Sequence, residues 1–362
     1  MKIVKVYEQV KEYIVQEARR QNPGDALPSE VQYSMMLDVS RPTVRKAVNE
    51  LIAIGLIKRV PGKGLIVGDG TVPKRGKILI GLPFAMGDGF LFKIVMSCID
   101  RANQLGYEYK IINTLDPAER LRLISEEPAE EYTAFVLTAY DSPYDKQIIE
   151  DLIHRNAQIL LVDNKPDYAD LPVIACNDFA GGYIAGNYFI EKNHRNIMYV
   201  TSTRDVQTVR DRLKGFLQAF QDKEIDTSGI YIHAVNDIGN PQLSYFFDNR
   251  FDCSILKEKG MTALFGYSSL PIISLCNTLV VKGYRIPEDL SVIGYGDYSI
   301  VSAANMPITN IETPAEEMGR AIVENIEQAL TQKQPLKGRI LQVTLDSRHT
   351  VRRLPEPTGL SQ

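Results

Sequence analysis

Two arginines four residues apart, Arg41 and Arg45, stand in the stretch VSRPTVRKAV that runs from Val39 to Val48, and Lys46 follows directly. Side chains spaced by four lie on one side of a helix. A guanidinium fork pairs with the O6 and N7 edge of guanine or with phosphate oxygens, so this spacing fits contact with a DNA groove. A second set of polar residues falls where apolar runs end. Asp163 closes QILLVD, Asn177 and Asp178 close VIACND, Tyr267 and Ser268 close TALFGYS, and Asp297 closes SVIGYGD. Thr208, Arg210 and Arg212 follow NIMYVTS. A carboxylate, a hydroxyl and an arginine together hold vicinal hydroxyls through charge-assisted hydrogen bonds. Phe90 and Phe92 add an apolar surface for stacking.

The arginine pair needs a helix behind it. Val44, Ala47, Val48 and Leu51 recur at i, i+3, i+4 and i+7 and form one buried stripe. Arg41, Thr43, Arg45, Lys46 and Asn49 are left on the other side. Proline is tolerated in a helix's first turn because its missing N–H has no partner there anyway. Pro42 also disfavours helical geometry at the preceding residue, which puts Arg41 at the cap, with Ser40 as N-cap or just before it. Upstream, Val6, Val10 and Ile14 share a face of a helix over residues 6–20. NPGDALP breaks it. SEVQ, from Ser29 to Gln32, then has the form of a capping box that opens a second helix. After Gly55, LIKRVPGKGLIVG reads as a hairpin with a basic tip at Pro61-Gly62-Lys63-Gly64. A charged face on an isolated helix means no more than solvation. The capped helix before it, the tight turn and the basic hairpin beside it make a winged helix-turn-helix.

VGDGTVPKRGK then concentrates Gly, Pro and charge. It reads as a linker over residues 69–76, between a DNA-binding domain at 1–68 and a larger body at 77–362. In the body, apolar runs of strand length alternate with amphipathic helical stretches such as LFKIVMSCIDRANQLG and TVRDRLKGFLQAFQDK. Near-continuous apolar strands joined by helices predict parallel sheets covered on both faces. Nine such strands suit two Rossmann-like lobes, with RILQVTLDSRHTV as a late strand. Ligands of open α/β sheets bind at the carboxyl ends of the strands.

Bulk composition narrows the classes. Residues 1–70 hold 11 Lys+Arg and 8 Asp+Glu, a net +3, which leaves −7 of the overall −4 for the rest. A mildly basic head on an acidic body fits a nucleic-acid module. No apolar run approaches the ~18 residues of a membrane span, and the charged N-terminal stretch is not a secretory signal. Four scattered cysteines with no C-x-x-C read as reduced thiols in a cytoplasmic protein, with neither disulfide nor metal. There is no G-x-S-x-G, phosphate loop or H-E-x-x-H, and none of the four histidines pairs with a nucleophile, so catalysis and a cofactor are not expected.

The head resembles the GntR family of bacterial transcription factors through YEQV, PGDALPSE, VSRPTVRKA, Leu51 with Gly55-Leu56-Ile57, and PGKG. The resemblance implies that Ser29 and Glu30 open the positioning helix. It implies that Ser40, Arg41, Thr43, Arg45 and Lys46 present the recognition helix, and that the Gly62-Lys63-Gly64 wing enters the minor groove. Lys46 stands where many members have glutamate, and Pro42 where many have threonine.

From Lys77 to Val351 the body is similar to the LacI/GalR regulators and to periplasmic sugar-binding proteins. ILLVDNKP, VIACNDFAGGYIAGNYFIEKNHRNIMYV, RDRLKGF, GYRIPEDLSVIGYGD, PITNI and MGRA carry the likeness. It implies effector contacts from Asp163, Thr208 and Arg212, with Phe90 and Leu91 covering the ligand and Tyr267 and Asp297 in the specificity zone. Tyr267-Ser268 replaces the frequent Asn-Asp. Gly296 replaces a frequent carboxylate, with Asp297 as the substitute. Together these likenesses imply a homodimeric repressor of the arabinose-repressor type. Its partners are near-palindromic operator DNA and a small sugar, with a nucleobase or other metabolite as the alternative, and no membrane.

Overall fold

The computed structural model describes residues 2–69, 75–84, 89–140, 142–203, 205–235, 251–296 and 307–356. The chain forms two compact units. One holds residues 1–79 with 98–110 and 131–133; the other holds the remainder.

The head begins with α1 (Lys2–Arg19), then β1 (Ala26–Leu27), α2 (Glu30–Met36), α3 (Arg41–Ala53), β2 (Ile57–Val60) and β3 (Gly64–Val67). β3 lies between β1 and β2, antiparallel to both. The expected stripe on α3 is fully buried: Val44, Ala47, Val48 and Leu51 are each 0% exposed, packed with Val10, Ile14 and Tyr33. The capping box forms as read. Ser29 Oγ accepts from Gln32 N at 3.3 Å, and Ser29 N donates to Gln32 Oε1 at 2.8 Å. At α3 the structure corrects one detail. Ser40 is the N-cap, with φ −64° and ψ 142°, and Arg41 is already the first helical residue. The preference of a pre-proline residue for extended backbone is outweighed because Ser40 Oγ accepts from Thr43 N at 3.4 Å.

The body strands are β4 (Gly76–Gly81), β5 (Tyr107–Ile111), β6 (Ala134–Leu137), β7 (Ile159–Val162), β8 (Val173–Cys176), β9 (Ile197–Ser202), β10 (Ile230–Val235), β11 (Ala263–Gly266) and β12 (Ser291–Tyr295). All nine coincide with the runs identified in the sequence. β13 (Thr309–Glu312), β14 (Arg339–Leu341) and β15 (Thr344–Asp346) complete them. The helices are α4 (Gly89–Leu105), α5 (Pro117–Ser125), α6 (Pro143–His154), α7 (Asp178–Glu191), α8 (Gln207–Gln221), α9 (Ser254–Glu258), α10 (Ser269–Val281) and α11 (Ala315–Gln332).

The strands form two six-stranded sheets, ordered β14-β8-β7-β6-β4-β5 and β10-β9-β11-β12-β13-β15. Each is the core of one lobe, and the two-lobed α/β fold is the one expected. The single late strand is in fact two. β14 pairs parallel to β8 in the first sheet, and β15 pairs antiparallel to β13 in the second, with only Gln342 and Val343 between them. The chain also passes between lobes after β8 and after β13, so three short segments cross.

A C-terminal stretch then closes over the second sheet. Thr350 Oγ1 donates to Val292 O at 2.8 Å and accepts from Thr309 N at 2.8 Å. His194, 0% exposed, accepts or donates to Thr262 Oγ1 at 2.9 Å and reaches Arg352 O at 3.0 Å. The carbonyl of Arg352 requires Nε2–H on the imidazole. Burial pushes the His194 pKa down to about 4. The unfolded chain therefore takes up this proton from about pH 6.5 downward while the folded chain resists it until about pH 4. Stability supplied by neutral His194 is complete above pH 6.5 and drains as pH falls to 4, by about 3 kcal/mol in order of magnitude. Urea unfolding at pH 7 and pH 4.5 should show this loss in the wild type and a smaller one in His194→Gln. Equal losses in the two proteins rule out His194 as the cause.

The four cysteines are free and buried. Among the described residues no helix is long and apolar enough to cross a membrane, and no group of three or more His, Cys, Asp or Glu is placed to hold a metal ion.

Candidate functional site

In the head, the exposed side of α3 carries Arg41 and Arg45. Arg45 keeps 61% of its side chain exposed, and its Nε donates to Glu30 Oε2 at 3.1 Å. Arg59 on β2 donates to the other oxygen, Glu30 Oε1. Glu30, the first residue of α2, thus joins α3 to β2. Thr43 Oγ1 is 2.7 Å from Ser40 Oγ, so this pair of hydroxyls rigidifies the helix entry. Lys46 turns toward α1, with Nζ 4.7 Å from the Tyr7 ring centroid. Lys11 pairs with Glu50 beside it at 2.8 Å. The Lys46 charge therefore belongs to the α1 side of α3, away from the Arg45 side. At the wing tip, Gly62 and Gly64 both have φ +78°, a left-handed backbone that glycine adopts without a steric penalty. Lys63 between them is exposed. Ser29 spends its hydroxyl on its own cap.

In the body, the strand-end residues converge around Arg212. It lies on α8, 12% exposed, with Nε donating to Asp178 Oδ1 at 2.7 Å and Nη1 to Tyr267 O at 2.7 Å. Its guanidinium stacks 4.0 Å above the Tyr295 ring centroid, and Tyr295 Oη donates to the same Asp178 Oδ1 at 2.8 Å. Burial alone works against the Arg212 charge, but Asp178, Tyr295 and Asp163 hold its pKa above the ordinary value. Burial and Asp178 likewise push the Tyr295 phenol far up, so it stays a donor.

From the first lobe, Asp163 ends β7 in a left-handed conformation, φ 70°, that few non-glycine residues adopt. Asn164 Nδ2 donates to its carboxylate at 2.9 Å. Asn164, buried, also accepts from Thr208 Oγ1 at 3.1 Å, which links the start of α8 to the end of β7. Asp163, Asp178, Thr208, Gln207 and Asp211 line one cavity of about 700 Å³ together with Leu171, Val173 and Ile340, and Arg212 meets it only through its partner Asp178.

The structure therefore brings Asp163, Thr208, Arg212 and Tyr267 together, the last through its backbone carbonyl. Phe90, half-buried, and Leu91, buried, occupy the first turn of α4, and the hydrogen bonds of the Arg212 cluster do not include them. Asp297 lies outside the described residues. Asn164 and Tyr295 join the cluster without having been singled out in the sequence, and Asp178, a strand-end candidate, was not among the effector contacts that the resemblance implied. Asp178 and Asn164 carried a signal, a polar residue directly after a buried strand. Tyr295 looked like core, and at 1% exposed it is core.

The cluster depends on an unusually close helix pair. A Cβ on Gly182 of α7 would sit 1.9 Å from Arg212 O, and a Cβ on Gly215 of α8 would sit 1.9 Å from Phe179 O. The two backbones touch, and this contact carries Arg212 up to Asp178.

Residues 2–67 match the model of bacterial regulatory proteins of the gntR family. Residues 81–231 match periplasmic binding proteins and the sugar-binding domain of the LacI family, and residues 187–351 match a periplasmic binding protein-like domain. Among curated proteins, the arabinose metabolism transcriptional repressor of Geobacillus stearothermophilus is 24% identical over 330 residues, covering 86% of each chain. A LacI family transcriptional regulator from Enterococcus faecium, solved with bound ribose, is 19% identical with a TM-score of 0.64 and covers 77% of this chain and 100% of its own. The transcriptional regulator CelR in complex with cellobiose is 19% identical with a TM-score of 0.63, covering 86% and 90%. The solved structures establish the fold, and the curated relative is a regulator along nearly its whole length. The chain thus joins a head that matches the gntR-family model to a two-lobed body that matches models of the LacI, periplasmic-binding-protein type.

Proposed function

We propose that this protein is a cytoplasmic, homodimeric repressor of a sugar-utilisation operon, with its DNA-binding domain at residues 1–68, a linker at 69–76 and a ligand-binding and dimerisation body at 77–362. Two heads bind the half-sites of a near-palindromic operator. A small neutral sugar of the pentose or other monosaccharide class binds at the Arg212 cluster and shifts the balance between two arrangements of the body. It does so only through the difference in its affinity for them.

The observation that carries this reading is the meeting of Asp163 and Asn164 on one lobe with Thr208, Arg212 and Asp178 on the other. Carboxylates and an arginine fixed by a buried network suit the hydroxyls of a polyol. The names of the relatives, with arabinose, ribose and cellobiose in them, lean the same way. A nucleobase ligand would instead stack on an aromatic face, and the Tyr295 ring is already covered by Arg212.

Two measurements test the proposal. A thermal-shift screen of the full chain against pentoses, hexoses, cellobiose and purines should show a rise in melting temperature with a neutral sugar, through linkage. A rise only with purines turns the assignment to the nucleobase alternative. Selection of duplexes from a randomised pool should yield a defined operator. Arg41→Ala and Arg45→Ala should each weaken binding to it by roughly 5- to 150-fold, the range for one lost base or phosphate contact. Undiminished specific binding by the double variant sinks the placement of the recognition helix.

A further inference from the structure

Glu30 is an odd residue to find on a DNA-facing surface. A carboxylate there repels phosphates, and the one base edge it suits is the N4 amino group of cytosine. Yet both of its oxygens are taken by the protein's own arginines, Oε2 by Arg45 Nε and Oε1 by Arg59. Its side chain is only 14% exposed, against 61% for Arg45 and 52% for Arg59. Its backbone is fixed as well, since Glu30 lies inside the capping box that Ser29 and Gln32 form.

Among the described residues Arg45 is held by Nε alone. Its Nη1 and Nη2, the two donors that reach guanine side by side, lie at the far end of the fork. An arginine tethered at Nε loses little further rotamer freedom when that fork docks, which raises affinity for the base it fits. Arg59 brings in the second arm. It sits on β2, whose partner β3 starts at Gly64 of the wing, so the same carboxylate ties the wing strand to the recognition helix.

We infer that Glu30 is a positioning residue rather than a DNA contact, one that aims the Arg45 fork and sets the wing relative to the recognition helix, and so determines sequence specificity more than affinity. The inference rests on the DNA-binding reading above. It predicts that losing Glu30 harms binding to the correct sequence alone, because removing a negative charge does not weaken, and slightly favours, sequence-independent attraction to phosphates.

The full-length protein is first used to recover a preferred duplex from a randomised pool. Affinity for that duplex and for poly(dI-dC) is then measured at several salt concentrations. Glu30→Gln should lower the ratio of specific to non-specific affinity at least tenfold, with non-specific binding unchanged or stronger. Added to Arg45→Ala, Glu30→Gln should cost no more than Arg59→Met does, because the part of its effect that runs through Arg45 is already gone. Arg59→Met leaves α2 untouched and should lower the same ratio at least threefold. An arginine that only contacted phosphate would instead lower both affinities together and reduce the salt slope. If Glu30→Gln keeps the ratio within twofold, or its full loss multiplies with that of Arg45→Ala, Glu30 reads the DNA itself or does nothing, and the inference is overturned. An unchanged ratio in Arg59→Met overturns the link to the wing however Glu30→Gln folds. Failure of the wild-type protein to select any sequence counts against the DNA-binding reading instead.

Discussion

Arg212→Ala will lose all ligand-induced rise in melting temperature, and its ligand-free body will melt well below the wild type. Two effects are combined. Arg212 is the cation through which the cluster would hold a polyol, so its removal takes away the ligand's charged partner. It also leaves Asp178, 5% exposed, as a buried carboxylate whose remaining side-chain donor in the cluster is Tyr295. Removing one member of a buried ion pair costs about 3–5 kcal/mol. In a domain of this size that lowers the melting temperature by roughly 10 °C. The two effects separate in the double variant Arg212→Ala with Asp178→Asn, where the charge left behind is also gone. Much of the stability should return, and the ligand response should not. Specific DNA binding should persist in both variants at temperatures where the body is folded. A full ligand-induced shift in the restabilised double variant would remove Arg212 from the binding site.

The second large effect is steric. Gly215→Ala and Gly182→Ala each place a methyl carbon 1.9 Å from a backbone oxygen of the facing helix. A flexible side chain can turn aside, but a helix backbone cannot. Relief requires α7 and α8 to move apart by an ångström or more along their whole contact. Overpacking a core costs about 1–3 kcal/mol and occasionally more. With backbone as the obstacle we expect the top of that range or above, about 3 kcal/mol, which is a fall of roughly 6–12 °C in melting temperature. The helices carry Asp178 and Arg212, so ligand affinity should fall as well. Gly338→Ala is the control. Its methyl would lie 3.3 Å from Val173 O, and a few tenths of an ångström of adjustment suffice. If all three variants melt together with the wild type, the close helix contact is not a constraint on this fold.

How far these features could be read from the chain depends on how local their causes are. The capping box at Ser29 and the buried stripe on α3 each lie within a dozen residues, and both appear where the pattern put them. Most of the nine body strands were legible because parallel strands buried on both faces are apolar throughout, while the edge strands β5 and β10 are partly exposed and more mixed. β13 was not, because its sequence TNIE is polar. Its Thr309 and Asn310 are 0% exposed; Thr309 N donates to Thr350 Oγ1, far along the chain, and Asn310 Nδ2 donates to the Glu312 carboxylate. The tail strand was read as one because nothing in RILQVTLD marks the two residues at which it leaves one sheet for the other.

The Arg212 cluster was half legible. Its polar strand-end members stood out by type and place. Tyr295 did not, because its role arises only where α7 comes close enough for its hydroxyl to meet Asp178. Gly181 makes that possible, since a Cβ there would lie 2.5 Å from the Tyr295 hydroxyl oxygen. Three glycines in DFAGGYIAG look like weak points in a helix by propensity. Their purpose shows only against the facing helix.

The split of the tail between two sheets also sets an order in time. Head strands and helices end by Val67, so the DNA-binding unit has all its parts early in synthesis. The first lobe does not. β8 ends at Cys176, but its neighbour β14 begins only at Arg339. At about 5–20 residues per second, the ribosome takes roughly 10–30 s to deliver it. Through that interval the outer edge of β8, in a sheet of Val, Ile and Leu, has no strand beside it, and an open apolar edge is a template for pairing with other chains. Nascent chains of this protein thus carry a finished head attached to a body whose first lobe is still at risk of aggregation.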